Sequence, residues 1–248
     1  NQTFDKGHRH YSHLLQIYPF YHVNIEQKGE KERMEKSIGH FFETNYAAYQ
    51  KTGNWGVLAG YSRTGLSSMN AAIGEGEEAL LHLNEYIDYN PRIVLPNGLY
   101  CESGPVLETP LSAGQAVLDM LIQSWGDKIR IFPSLPEEWT DICFDNLRTR
   151  GAFLVSAKKV DGQTQFVRLK SLAGSPCKLK MDFTPEHSAK LKEIGSGVYE
   201  VDLEKGEEIL ILNDDLKEIA TTIGEIPAQE GRTHWFGLNG NRDRMEKE

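Results

Sequence analysis

The sequence predicts an α+β protein in which helices come first and strands second. Two observations carry this. Apolar residues recur at helical spacing as far as about residue 125, and beyond Trp125-Gly126 they alternate with a period of two. The expected organisation is a helical region over residues 1–126, a β-domain over 127–213 and a polar tail over 214–248.

The helical elements follow in order. Across Glu30–Tyr49, Met34, Ile38, Phe41 and Phe42 share one face. Leu66, Met69 and Ile73 form the next stripe, which ends at Gly74-Glu75-Gly76, where the first glycine suits a left-handed C-cap. Ala79, Leu80, Leu83 and Ile87 follow, and Asn90-Pro91 stops that helix. Two amphipathic helices joined by a glycine link make an αα-hairpin, the unit of helical barrels and solenoids. The last helix carries Ala113, Ala116, Val117, Met120 and Leu121, with Thr109-Pro110 as N-cap and first-turn pair, or Ser112 with Gln115 as a capping box.

In the β-rich half, Phe153, Val155 and Ala157 alternate with other residues. Asp161-Gly162 signals a hairpin turn, and Thr164–Ser171 returns. Cys177, Leu179 and Met181 alternate with lysines, Tyr199, Val201 and Leu203 alternate with acids, and Glu208–Leu212 reads as a short buried strand. Several short strands with turn signals between them predict a small antiparallel β-sandwich.

Composition narrows the function classes. The formal net charge is −9 and the basic residues are scattered, which argues against nucleic-acid or anionic-membrane partners; a neutral ligand such as a sugar is compatible. No apolar run approaches a membrane span of about 18 residues. The three cysteines are far apart and form neither a disulfide framework nor a CxxC site. With Asn1 first and about four long helices available, too few to close a helical barrel, we read the chain as the C-terminal part of a larger protein.

Glu108 is the leading catalytic candidate. It precedes a helix start, where the positive end of the helix dipole favours negative charge, and a rigidly held carboxylate there can activate a water. The plain alternative is a helix-entry acid on the surface. The string GHRHYSHLLQIYP contributes a second cluster, Arg9 with His8, His10 and His13. The i, i+2, i+5 spacing does not put the three imidazoles on one helical face, so no metal is expected there. Solvent-facing histidines, histidines bonded within a core and a polar-ligand site remain open. Arg9 and the histidines are good donors to ring hydroxyls, which makes a sugar the favoured ligand. Trp55, Tyr61, Tyr100 and Trp125 are the aromatics on which a sugar's apolar face can stack, although such residues also serve as core. Gly53-Asn54-Trp55-Gly56 marks a turn, and no GxGxxG or GxxxxGK motif supports a nucleotide.

Three blocks carry a resemblance: HRHYSHLLQIYP, GYSRTGLSSMNAAIGEGEEAL, and ETPLSAGQAVLDMLIQSWGDKIRIFPSLPEEW followed by LRTRGAFLVSA. In order and spacing, over roughly residues 7–182, they resemble the C-terminal part of glycoside hydrolase family 95, which contains α-L-fucosidases and α-L-galactosidases. The resemblance implies the final helices of an (α/α)6 barrel followed by an antiparallel β-sandwich. It further implies an inverting mechanism without metal or cofactor, an oligosaccharide or glycan substrate, and a periplasmic or secreted setting.

The resemblance places Arg9 and His10 in the sugar pocket. His13 of the same string and Trp55 complete the substrate-binding set. The family's general base is an aspartate in a QIDGNFG segment ahead of a helix reading AEMLLQS. Alignment of LDMLIQS on that helix sets Glu108 at the aspartate and Thr109-Pro110-Leu111-Ser112 over GNFG, a clear departure from the family pattern. The family's general-acid glutamate and water-holding asparagines lie ahead of HRHYSH. The expected function is thus hydrolysis of an α-linked L-fucose or related L-sugar with Glu108 as base. A carbohydrate-binding or structural remnant of the same fold is the alternative, and a histidine–metal hydrolase a third reading.

Overall fold

A computed structural model of the chain describes residues 6–88, 100–101 and 105–224. Contacts divide it between Met120 and Leu121 into two compact units.

The first unit is helical. Helix α1 (Glu30–Thr52) lies between two left-handed glycines, Gly29 and Gly53, and the N–H of Gly53 closes the last turn on the Tyr49 carbonyl. Its buried residues are Met34, Ile38, Phe41 and Asn45. Helix α2 (Gly60–Ile73) joins α3 (Gly76–Asp88) through Gly74, whose φ of 83° and N–H bond to the Ala71 carbonyl make the expected left-handed cap. The proposed stop at Asn90-Pro91 lies outside the described residues.

Helix α2 is buried at every residue but Tyr61, beyond the single stripe expected of it. The polar residues it hides are bonded: Ser67 Oγ donates to the Ala79 carbonyl and Asn70 Nδ2 to the Leu66 carbonyl. Arg63 pairs with Glu85, to which His82 Nδ1 also bonds at 2.8 Å, and its guanidinium lies 5.6 Å from the Phe42 ring. A helix surrounded by protein sits at the centre of a helical layer. Tyr11 packs on it at Gly65, where a Cβ would come within 2.3 Å of the Tyr11 ring.

A two-stranded ribbon of β1 (Tyr100–Cys101) and β2 (Pro105–Val106) precedes helix α4 (Glu108–Leu121). Glu108 is thus the first helical residue, two positions earlier than the start at Pro110 anticipated, and Pro110 stands in the first turn, where its missing N–H costs nothing. Ser112 is not the cap: its hydroxyl donates to the Thr109 carbonyl and meets Thr64 Oγ1 of α2.

The second unit contains two sheets. One has the order β3 (Ile122–Gln123), β4 (Lys128–Ile131), β8 (Cys177–Lys180), β10 (Val198–Val201), β9 (Leu191–Gly195). The other runs β11 (Glu208–Leu212), β7 (Gln163–Ser171), β6 (Phe153–Val160), β5 (Ile142–Thr149). Ile122 pairs with Ile131, which is why the strands begin before the Trp125-Gly126 boundary read from the sequence. Both turn residues of the β6–β7 hairpin have positive φ, Asp161 at 48° and Gly162 at 74°. This is the type I′ geometry that matches the twist of paired strands.

The architecture is sandwich-like, with Leu179, Tyr199 and Val201 buried from one sheet and Phe153, Val155, Phe166 and Ile211 from the other. The prediction of a purely antiparallel sandwich needs correcting. β4 and β8 pair in parallel, Ile129 opposite Leu179, because the long excursion through β5–β7 brings the chain back in the same direction. From residue 214 to 224 the chain has neither helix nor strand, yet the carbonyls of Thr221 and Thr222 accept bonds from Arg168 and Lys158. The remainder of the anticipated polar tail lies outside the described residues.

Candidate functional site

In the helical unit, the first turns of α2 and α4 meet the segment before Tyr11. A cavity of about 470 Å³ opens there, lined by Arg9, His10, Tyr61, Ser62, Glu108 and Thr109, with Ala59. The segment is held by its backbone: Ser62 Oγ, buried in the first turn of α2, donates to the Arg9 carbonyl at 2.6 Å. That leaves the Arg9 and His10 side chains exposed. His10 is further fixed by its N–H bond to His8 Nδ1 at 3.2 Å, the two rings meeting edge to face at 4.8 Å.

Tyr61 is the cavity's aromatic wall. It is 44% exposed and lies nearly parallel to the buried Tyr11 ring at 5.3 Å between centroids. Tyr11 in turn stands edge-on to Phe41. Burial first, then the hydrogen bond and charge of Tyr61, push the Tyr11 hydroxyl far above the usual tyrosine range, so it remains a neutral donor. Tyr61 was named in the sequence only as one aromatic among several. Its place in the site follows from standing in the first turn of α2, beside the residue that anchors Arg9.

From the cavity a polar row runs along α4, exposed at Glu108 and Gln115 and buried at Asp119. Glu108, Ser112, Gln115 and Asp119 recur along one face of α4 at spacings that return to the same side. Gln115 Nε2 donates to Asp119 Oδ1 at 2.8 Å, and Tyr18 and Ser68 also bond to Asp119. Burial raises the Asp119 carboxyl above its ordinary value, partly offset by those three donors. On the far side of α2, burial alone would raise Glu85, but the bond from His82 and the charges of Arg63 and His82 outweigh it and hold this carboxyl below the usual range.

The remaining predicted site residues stand elsewhere. His13 faces a neighbouring cavity rather than that of Glu108, and burial followed by the charge of His40 lowers its imidazole below the usual value. Trp55 opens a short 3-10 turn, Trp55–Leu58, and its side chain lies outside the described set, as does that of Tyr100. Trp125 is a core residue, not a sugar platform. It is 3% exposed, its Nε1 donates to Gln123, and the Arg130 guanidinium covers its ring at 3.4 Å. Among the described residues, no group of three or more His, Cys, Asp or Glu is arranged to hold a metal ion. No helix among them is long and apolar enough to cross a membrane.

Comparison with known proteins agrees with this architecture. Residues 123–211 match the family model of the glycoside hydrolase family 95 C-terminal domain. Over 164 residues the chain is 27% identical to Alpha-L-fucosidase 2 of Arabidopsis thaliana, an alignment covering 62% of this chain and 18% of that protein. The chain therefore spans less than a fifth of the length of the curated relative it matches. The two matches support a glycoside hydrolase family 95 C-terminal part in this chain.

Proposed function

We propose that this chain forms part of an inverting glycoside hydrolase acting on α-linked L-fucose or a related L-sugar, with Glu108 as general base. The observation that carries this reading is that Glu108 and the Arg9-His10 pair, far apart in sequence, line one cavity. Inversion requires a carboxylate that takes a proton from a water attacking the anomeric carbon. A second carboxyl group about 6.5–9.5 Å away protonates the leaving oxygen. Glu108 stands at the cavity rim on a rigid helix start, where its extra methylene relative to aspartate extends its reach to that water. Arg9 and His10 donate to ring hydroxyls, and Tyr61 offers a face for the ring's apolar side. His13 and Trp55 would bind more distant parts of the glycan. The helices of this unit would be the last of an (α/α)6 barrel, with the acid supplied by the chain ahead of them. The similarity to a protein named Alpha-L-fucosidase 2 supports the sugar class.

One observation favours a second reading, a carbohydrate-binding remnant: among the described residues lining the cavity, Glu108 is the single carboxylate. Replacement of Glu108 by Gln in the whole protein in which this sequence occurs separates the two. Glutamine is close to glutamate in size, so folding should be nearly unchanged. Loss of a general base lowers turnover by about 100-fold or more. Turnover of an aryl α-L-fucoside within a few-fold of the parent would show that Glu108 is not the base. Sugar binding without any turnover in the parent would establish the remnant.

A further inference from the structure

The opening residues of α2 grip two other segments through hydroxyl groups. Tyr61 lines the Glu108 cavity, and beside it Ser62 Oγ holds the Arg9 carbonyl at 2.6 Å. Two positions further on, Thr64 Oγ1 bonds to Ser112 Oγ of α4. Ser112 in turn donates to the Thr109 carbonyl at 3.0 Å, and it stands one turn on from Glu108 on the same face of that helix. One short stretch of α2 thus fixes both the segment that carries Arg9 and His10 and the helix start that carries Glu108.

The proton inventory gives the Thr64–Ser112 bond a direction. Each hydroxyl has a single proton to donate. Ser112 gives its own to the Thr109 carbonyl, so the bond between the two hydroxyls uses the proton of Thr64. The order is Thr64 O–H to Ser112 O–H to the Thr109 carbonyl, and Thr64 and Thr109 are both buried. If Ser112 Oγ is removed, the Thr64 hydroxyl keeps, among the described residues, only the long contact to the Tyr61 carbonyl at 3.4 Å. Apolar side chains could pack two helix starts together without desolvating two hydroxyls. What the hydrogen-bonded pair adds is a fixed distance and direction between them.

Neither Thr64 nor Ser112 lines the cavity, so neither is placed to touch a ligand in it. We infer that Thr64 and Ser112 are positioning residues of the proposed reaction. Their bond sets the first turn of α4, and with it the Glu108 carboxylate, against the Arg9–His10 segment that Ser62 holds from the same stretch of α2. This role depends on the reading of Glu108 as the general base. A base displaced by about 1 Å loses up to about 100-fold in rate while the bound sugar keeps its other contacts.

The test measures kcat and KM for an aryl α-L-fucoside in the whole protein in which this sequence occurs. Ser112→Ala and Thr64→Val each remove one hydroxyl, and each should lower kcat by about tenfold with KM within about twofold of the parent. Thr64→Ser, which returns the hydroxyl, should recover most of the kcat lost in Thr64→Val. The double variant should be no slower than the slower single one, because both changes break the same bond. In a Glu108→Gln background, Ser112→Ala should lower kcat no further, since no base remains to be placed. A merely structural contact would cost the same factor in both backgrounds, and that result would overturn the inference. So would parent-like kcat in both Ser112→Ala and Thr64→Val; if Glu108→Gln alone is slow, the proposed function survives. Parent-like turnover of Glu108→Gln, or no turnover in the parent, would overturn both. Circular dichroism identifies the folded variants, and Thr64→Val serves if Ser112→Ala does not fold. Failure of both to fold would make the pair structural and overturn the inference.

Discussion

The two units bury polar groups in different ways, and the difference separates scaffold from site. In the β unit, Ser171, Asn213 and Arg130 are buried and bond to backbone groups of their own sheet or its turns. Ser171 caps Gly174, Asn213 joins the Thr164 carbonyl to the N–H of Asp215, and Arg130 returns to the Trp125 carbonyl. Such bonds finish the backbone within a sheet and leave the core to Phe153, Val155, Phe166 and Leu169. In the helical unit the polar groups link separate elements. Ser62 of α2 holds the segment that carries Arg9, Thr64 meets Ser112 of α4, Arg63 joins Glu85 of α3, and Asp119 gathers Tyr18 and Ser68. Polar groups that cross between elements fix those elements' positions, which is what a cavity built from loop ends and helix starts requires.

The largest effect is expected in the apolar core of the β unit. Phe166 is fully buried in β7, between Lys158 of β6 and Leu212 of β11 in register. Phe166→Ala should lower unfolding free energy by about 3–5 kcal/mol, as for other buried aromatic truncations. Guanidinium unfolding measures this, and the sugar affinity proposed above should not follow it under folding conditions. An equal loss of sugar affinity would break the division between scaffold and site.

A smaller but still large effect belongs to Gly65. An alanine methyl would lie 2.3 Å from the Tyr11 ring, which is itself wedged between Tyr61 and Phe41. Overpacking of this kind costs about 1–3 kcal/mol. Because the displaced ring supports Tyr61, Gly65→Ala should weaken sugar binding as well as stability, unlike Phe166→Ala.

The cross-linking carboxylates give the helical unit a signature in pH. Glu85 has a lowered value in the fold, despite burial, through His82 and Arg63. The folded state therefore holds its proton less tightly than the unfolded chain does. The stabilisation is complete above the ordinary glutamate value of 4.5 and is lost as pH falls through the folded value below it. Asp119 has the opposite sign: its raised value favours the protonated fold, so its contribution is complete below 3.8 and is lost as pH rises through the folded value. The stability difference between the parent and Glu85→Gln should thus be largest at neutral pH and shrink towards acid. A difference constant with pH would remove the ion-pair account.

These groups also mark how far the sequence could be read. The stripes of α1 and α2, the Gly74 cap, the Asp161-Gly162 turn and the alternation in β10 depend on residues a few positions apart, and periodicity reports them directly. The parallel β4–β8 pair depends on a return after nearly fifty residues, for which local pattern carries no signal. Helix α2 showed one apolar stripe because Ser67 and Asn70 look solvent-facing until their carbonyl partners are known. Glu108, Arg9 and His10 were legible through residue type and resemblance. Tyr61's place in the cavity arises only when α2 meets the segment that carries Arg9.

The smallest expected effect comes from the other kind of glycine, and it isolates backbone from packing. Gly162 has a φ of 74°, and nothing lies within 4 Å of where a Cβ would be. Space is therefore free, and the whole cost of alanine is its left-handed conformation, about 1–2 kcal/mol. Part of that is recovered because alanine also has fewer unfolded conformations than glycine, so the net loss should be about 1 kcal/mol. Gly65 is the converse: its helical backbone suits any residue, and only the Tyr11 ring forbids a methyl. Gly162→Asn provides the control, since asparagine enters the left-handed region more readily than alanine does. Guanidinium midpoints should rank parent, Gly162→Asn, Gly162→Ala. A loss at Gly162→Asn equal to that at Gly162→Ala would mean that handedness is not what the turn requires of this position.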